Sequence, residues 1–159
     1  MKYLFTFSII CLLISCKENS TKIDPNFQDL MKYGIPYSLR APDDVKINKL
    51  GSGQLVDLSL KNDQGFDVQI FMSPAISNDL IKLKANKKNE IRANPFFVKI
   101  IEEFEDGFLY EKRNDIGDKN YDFIIIKIVG NNEIVFQCGN SKEFSEKEVK
   151  TMISSVLKK

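Results

Sequence analysis

Two acidic segments carry the side chains best suited to chemistry. The first has four carboxylates near one predicted turn: Glu102, Glu103, Glu105 and Asp106. The second is a predicted polar loop of acids and amides: Asn114, Asp115, Asp118, Asn120 and Asp122. Paired carboxylates can bind Ca²⁺, or act as acid and base in a hydrolase if they converge in a cleft and the pKa of one is raised. Neither segment has the spacing of a calcium-binding loop, so solvated turns are favoured and calcium is the open alternative.

The overall composition excludes several other kinds of site. The chain contains no histidine, which rules out a Ser-His or Cys-His dyad, a histidine zinc site and an imidazole pH switch. Its 23 Lys and Arg nearly balance its 22 Asp and Glu, so no strong field attracts nucleic acid. We therefore expect a protein without catalytic residues, metal or cofactor, and without a nucleic-acid partner.

Basic and aromatic side chains form two further groups around the middle of the chain. The basic group lies on a predicted helix: Lys82, Lys84, Lys87, Lys88 and Arg92. A solvated helix face is the favoured interpretation, and contact with anionic lipid or a partner is the alternative. The aromatic group follows the helix: Phe96, Phe97, Phe108 and Tyr110. These rings could line an apolar pocket, but packing across paired strands is favoured.

The N-terminus has the organisation of an export signal. Lys2 precedes an apolar run of about 12 residues, which is too short to span a bilayer, and a polar segment follows Cys16. The four residues Leu13-Ile14-Ser15-Cys16 resemble the lipobox of bacterial lipoproteins. The resemblance implies cleavage between Ser15 and Cys16, and attachment of fatty acids such as palmitate to the sulfur of Cys16. A secreted protein without lipid, or a chance cysteine after a short apolar segment, are the alternatives.

Three segments follow from this interpretation. Residues 1–15 are a lipoprotein signal peptide, residues 16–24 a lipid-anchored polar tether, and residues 25–159 a single domain. Cleavage removes Lys2, the only charged residue before Cys16, so the mature chain has no net charge and the lipid must supply the anchoring. Lys17 follows the cysteine and favours the outer over the inner membrane. Cys138 is then the one cysteine of the domain, in an apolar strand pattern that predicts a buried small hydrophobe.

The apolar residues of the domain recur with the periods of both strands and helices, which indicates an α+β fold. Alternating or continuous apolar runs predict strands over residues 35–40, 45–50, 54–61, 66–72, 96–105, 108–113, 121–129 and 133–138. Helices are predicted over residues 24–33 and 73–92, and a third begins at a capping box formed by Ser145 and Glu148. Short turns between the strands predict an antiparallel sheet of about six to seven strands, covered by the two main helices.

From Tyr37 to the C-terminus this order resembles the PsbP/Mog1/DcrB-like group, with its YSLRAPDD strand and turn and its final FSEKEVKTMISSVLKK helix. The resemblance implies an α/β/α sandwich and an accessory or binding role, since members assist photosystem II, bind a small GTPase or are bacterial lipoproteins. The resemblance does not assign a functional role to any residue of this chain. The leading hypothesis is a membrane-tethered, non-catalytic lipoprotein of the cell envelope that engages a protein partner. The alternative is a carrier of a small ligand or lipid with an apolar pocket.

Overall fold

A computed structural model describes residues 27–157. The predicted signal peptide, its cleavage site at Ser15 and Cys16, and the tether lie outside the described residues. The nine strands within these residues are β1 Phe27–Asp29, β2 Ser38–Arg40, β3 Lys46–Ser52, β4 Leu55–Lys61, β5 Asp67–Pro74, β6 Phe97–Phe104, β7 Gly107–Arg113, β8 Lys119–Val129 and β9 Asn132–Cys138. Helix α1 is Leu80–Arg92 and helix α2 is Glu146–Leu157, while Met31–Tyr33 is a short 3-10 helix.

Seven of the strands form one antiparallel sheet in the order β3-β4-β5-β9-β8-β7-β6, and β1 and β2 pair separately. The predicted α+β class and the predicted antiparallel sheet of about six to seven strands are confirmed. Within residues 27–157, no helix is long and apolar enough to cross a membrane.

The two helices lie on opposite faces of the sheet. Neighbouring residues of strand β8 show this, since they point to opposite faces and belong to different hydrophobic clusters. Phe123 and Ile125 pack in the larger cluster with Val149 of α2. Ile124 packs in the smaller cluster with Leu83 of α1. A strand buried on both faces is expected to be almost continuously apolar, which explains the composition of β8.

Helix α2 begins with the predicted capping box. Ser145 Oγ accepts a hydrogen bond from the backbone N–H of Glu148 at 3.4 Å, and Glu148 Oε2 accepts one from the backbone N–H of Ser145 at 2.8 Å. Hydrogen bonds from Lys142 and from Ser145 lower the pKa of Glu148 to about 2. The carboxylate therefore stays charged at the positive end of the helix dipole, where a negative charge is stabilising.

Replacement of the capping hydroxyl is expected to weaken the domain measurably. Ser145→Ala removes the side-chain acceptor at the start of α2, and a loss of this kind costs about 1 kcal/mol of unfolding free energy. Urea denaturation followed by circular dichroism measures the loss. Thr151→Ala is the matched control, because Thr151 is an exposed hydroxyl on the same helix and its loss should change stability by less than about 0.5 kcal/mol. Equal effects of the two substitutions would contradict the capping role of Ser145.

Two helix predictions are wrong in their extent. Residues 27–29 form β1 rather than part of a helix over 24–33, because they pair with β2 from Phe27↔Arg40 to Asp29↔Ser38. Only one 3-10 turn follows, and Gly34 ends it with φ 91°. Helix α1 begins at Leu80 rather than near residue 73. Asp79 caps it by accepting a hydrogen bond from the Lys82 N–H, while β5 continues to Pro74.

Candidate functional site: the uncovered half of the sheet

The carboxylates of the first acidic segment do not converge. Glu103 is exposed and pairs with Lys88, whose Nζ lies 2.6 Å from Glu103 Oε2, and this hydrogen bond lowers the pKa of Glu103. Asp106 is buried at the β6–β7 turn and pairs with Lys127 of β8. The exposed Glu105 lies between them in sequence. Each paired carboxylate has its own lysine, which is the arrangement of structural ion pairs.

The second acidic segment is divided between a loop and the sheet. Asp115 and Asp118 are exposed in the β7–β8 loop, where Asn114 Oδ1 accepts a hydrogen bond from the Asp118 N–H at 2.7 Å. Asp122 is buried in β8 instead. In the described part of the chain, no group of three or more acids and cysteines is placed to hold a metal ion.

Asp122 fills a gap between two strands. The register of β8 and β9 ends at Ile125↔Phe136, and beyond this pair Asp122 Oδ1 accepts hydrogen bonds from the N–H groups of Cys138 at 3.0 Å and Phe123 at 2.8 Å. Its other oxygen receives a hydrogen bond from Lys112 Nζ at 2.7 Å. The side chain thus serves as the acceptor for backbone N–H groups of both strands and links β8 to β9 beyond the end of their register.

Cys138 occupies the buried position that the sequence predicts, with 2% of its surface exposed. Burial raises the pKa of the thiol strongly, and the nearby carboxylate of Asp122 raises it further. A neutral, buried thiol is a poor nucleophile, because the thiolate is the reactive form.

We expect this thiol to be almost inert in the folded domain. In a chain starting at Lys17, which lacks the other two cysteines, Cys138 should react with a disulfide reagent about 100-fold more slowly than it does in urea. The rate of thiolate release, followed spectroscopically, measures the difference. Similar rates in the folded and unfolded protein would contradict the buried position.

The basic group on α1 is largely engaged within the chain. Lys84 donates to the backbone oxygen of Phe104 at 2.8 Å, Lys87 pairs with Glu90 at 2.9 Å, and Lys88 pairs with Glu103. These contacts neutralise or fix three of the five cations, so the group does not form a uniformly basic surface.

The aromatic group packs as core beneath α1. Phe108 and Tyr110 are buried with ring centroids 5.9 Å apart, and Phe97 lies 6.4 Å from Tyr110. The cavity beside them measures about 60 Å³, too small for an organic ligand. The predicted cross-strand packing is confirmed, although Phe96 itself is 43% exposed.

A larger depression lies between α2 and β6. It measures about 440 Å³ and opens at the surface, and its lining is Glu102, Phe104, Lys150, Ile153, Ser154 and Leu157. Apolar side chains form much of its floor, so it is the described feature closest to the pocket that a lipid carrier would need.

Among the described residues, no helix lies on one face of the half-sheet formed by β3, β4 and β5. Helix α1 packs over the other half, where its Leu83 meets residues of β7, β8 and β9. On the uncovered half, Leu50, Asp57 and Phe71 lie side by side in one register row across the three strands. Leu50 is 54% exposed, Phe71 39%, and the nearby Leu55 65%. We call Leu50, Leu55, Asp57 and Phe71 the uncovered face.

The sequence predicts only the buried side of these strands. Val56, Leu58 and Leu60 alternate toward the core, and all three are buried as expected. The apolar residues that occupy polar positions of the same pattern, Leu50 and Leu55, are the signal that could have identified the uncovered face.

Asp57 is the one charged member of the uncovered face, and Lys46 and Lys61 lie two register rows away on the same side of β3 and β4. Its carboxylate accepts a hydrogen bond from the neutral side chain of Gln69, and among the described residues no cation forms an ion pair with it. Partial burial raises the pKa of Asp57. The uncovered face therefore presents three apolar side chains around one carboxylate, and two lysines lie further along the same strands.

The structure defines the chain as an α+β protein built on a seven-stranded antiparallel sheet. No protein-family model matches the sequence, and no curated protein is significantly similar to it.

Proposed function

We propose that this protein is a membrane-tethered, non-catalytic accessory or binding lipoprotein of the bacterial cell envelope, and that it engages a protein partner. The uncovered face is the observation that carries the binding role. Three large apolar side chains on adjacent strands are exposed there, around the carboxylate of Asp57. Apolar side chains grouped on a surface are typical of interaction sites, whereas single exposed apolar residues are not.

The membrane tether rests on the lipobox at Leu13-Ile14-Ser15-Cys16. Acyl chains on Cys16 would bind the mature protein to the outer membrane, in keeping with Lys17 at the second mature position. The eleven residue steps from Cys16 to Phe27 span at most about 40 Å. The domain would therefore sample a thin layer beside the bilayer, where a partner in the same membrane is at high effective concentration.

We further propose that the domain belongs to the PsbP/Mog1/DcrB-like group. The element order supports this assignment, because five strands precede α1 and four strands separate α1 from α2. Helices on both faces of an antiparallel sheet agree with the α/β/α sandwich that the group implies.

Crosslinking in intact cells tests the binding role. The tagged full-length protein is expressed in the bacterium of origin, treated with a reversible crosslinker and purified from solubilised membranes. We expect one envelope protein to be recovered in every replicate and to be absent from an unrelated tagged lipoprotein treated in the same way. Recovery of no specific envelope protein would contradict the proposal.

The depression between α2 and β6 favours a second candidate, a carrier of lipid or another small apolar ligand. Native mass spectrometry of the protein purified from its host tests this function. A carrier should retain a ligand of defined mass, and a charge placed in the lining by Leu157→Lys, at a residue that is 36% exposed, should abolish retention. If the purified protein carries no ligand, the carrier function is contradicted and the binding lipoprotein stays the proposed function.

A further inference from the structure

The residues that join the tether to the domain form a separate hydrogen-bonded unit. Strands β1 and β2 pair with each other and not with the seven-stranded sheet. We call residues 27–40 the N-terminal clasp. Within it the Leu30 N–H donates to the Tyr37 backbone oxygen at 3.1 Å, and among the described residues no backbone hydrogen bond of residues 27–39 reaches the seven-stranded sheet. A segment with internal backbone hydrogen bonds can leave a domain as one cooperative unit.

Side chains attach the N-terminal clasp to the rest of the domain. Leu30, Ile35 and Leu39 have no exposed surface and belong to the larger hydrophobic cluster. The Tyr37 hydroxyl donates a hydrogen bond to the backbone oxygen of Val156, near the end of α2, at 2.8 Å. These contacts hold the clasp on the domain when no force acts on the chain. Because they are side-chain contacts, their loss leaves the backbone pairing of the seven-stranded sheet in place.

The clasp lies in series between the tether and the sheet. Phe27 is the first residue of β1, and its partner Arg40 continues through a turn into β3. A pull on the tether therefore acts across the pair Phe27↔Arg40 and separates the three register pairs of β1 and β2 one after another. The next strand, β3, shares seven register pairs with β4. The clasp is thus the first and the weakest paired element on the path of the force.

We propose that the N-terminal clasp is a force-released extension of the tether, which leaves the domain before the seven-stranded sheet unfolds. Release frees the thirteen residue steps from Phe27 to Arg40. The reach from Cys16 to the remaining domain then rises from at most about 40 Å to at most about 85 Å. A domain held by a partner away from the membrane would keep both attachments. The role of the clasp rests on the proposed function, which supplies the membrane tether, whereas its separation is a property of the folded chain.

Stretching single molecules in optical tweezers tests the inference. Residues 17–159 carry a peptide tag at each end, and the force is applied through the tags. We expect a first step with a contour gain of about 40 Å, which is the length of thirteen residue steps less the roughly 5 Å between paired Cα atoms. A second step of roughly 400 Å should follow at higher force, when the remaining domain unfolds.

A different attachment point takes the clasp out of the path of the force. Asp43 is exposed in the turn that follows the clasp, and Asp43→Cys accepts a handle through its thiol while Cys138 stays buried. Stretching between position 43 and the C-terminus should give the second step alone. This control assigns the first step to residues that precede position 43.

Two variants identify the contacts that hold the clasp. Leu39→Ala removes buried apolar surface, and Tyr37→Phe removes the hydrogen bond to Val156. Each should lower the force of the first step. Neither should change the force of the second step, because both side chains have left the domain by then. Tyr37→Phe removes a single hydroxyl, so it decides the test if Leu39→Ala fails to fold.

The remaining outcomes separate this inference from the proposed function. A single unfolding step overturns the inference, and so does a first step that persists when the force enters at position 43. A first step that Tyr37→Phe and Leu39→Ala leave unchanged also overturns it. The lipoprotein assignment and the binding role stand in all three cases, since no membrane or partner is present. A wild-type protein without lipid at Cys16 overturns the proposed function, and with it the role of the clasp at the membrane, even where both steps are observed.

Discussion

Cys16→Ala is expected to release the protein from the membrane completely and to leave it without fatty acids. Each buried CH₂ contributes about 0.8 kcal/mol, so two acyl chains hold a protein stably whereas a single chain binds reversibly. The mature chain has no net charge that could replace the lipid by attraction to anionic headgroups. Mass spectrometry of the N-terminal peptide and partition between detergent and aqueous phases measure the two effects.

Cys11→Ala is the matched control for this experiment. It makes the same substitution within the apolar run of the signal segment and leaves the lipobox intact, so the mature N-terminus and its acyl mass should be unchanged. A wild-type protein that still begins at Met1, or that has a free thiol at Cys16, would contradict the lipoprotein assignment. The binding role would then need a partner outside the membrane surface.

The elements best predicted from the sequence are those in which local and tertiary preferences agree. The C-terminal helix combines a capping box with an apolar face, and Val149, Met152 and Val156 of that face are all buried. The strand over 121–129 is apolar on both sides, as a central strand must be, and it pairs with two neighbours. No competing local structure satisfies these patterns.

The wrong helix boundaries arise where a distant partner decides the local structure. Asp24-Pro25 and Gly34 are acceptable helix end signals, but residues 27–29 gain more from backbone pairing with β2 than from one helical turn, whose nucleation is costly. The register of that pairing depends on residues that are close only after folding. The sequence pattern therefore contains no sign of it.

The position of the uncovered face does not follow from the sequence alone, although Leu50 and Leu55 break the alternating pattern of their strands. Which half of a sheet a helix covers depends on the strand order, and β9 inserts next to β5 although more than 50 residues separate them. Until that order is known, exposed residues such as Leu50 cannot be distinguished from core residues. Asp57 looks like any polar residue of an alternating strand, and only its register with Phe71 places it among exposed apolar side chains.

The acidic loop illustrates how a pattern of similar residues divides into different functions. Asp115, Asp118 and Asp122 lie close together in the sequence, yet Asp122 alone is buried. Asp122→Ala should therefore cost about 3–5 kcal/mol of unfolding free energy, because it leaves two backbone N–H groups and the Lys112 ammonium without their acceptor. Urea denaturation of a chain starting at Lys17 measures the loss.

Two neighbouring substitutions make this prediction specific. Asp118→Ala should change stability by less than about 0.5 kcal/mol, since its side chain is exposed. Asp122→Asn should fall between the two, because the amide oxygen still accepts from the backbone N–H groups while the charge paired with Lys112 is lost. Equal losses from Asp118→Ala and Asp122→Ala, together with a rise in the urea midpoint on adding Ca²⁺, would instead favour a calcium site. The difference in unfolding free energy between the variants of buried Asp122 and exposed Asp118 then decides whether this segment links two strands or binds an ion.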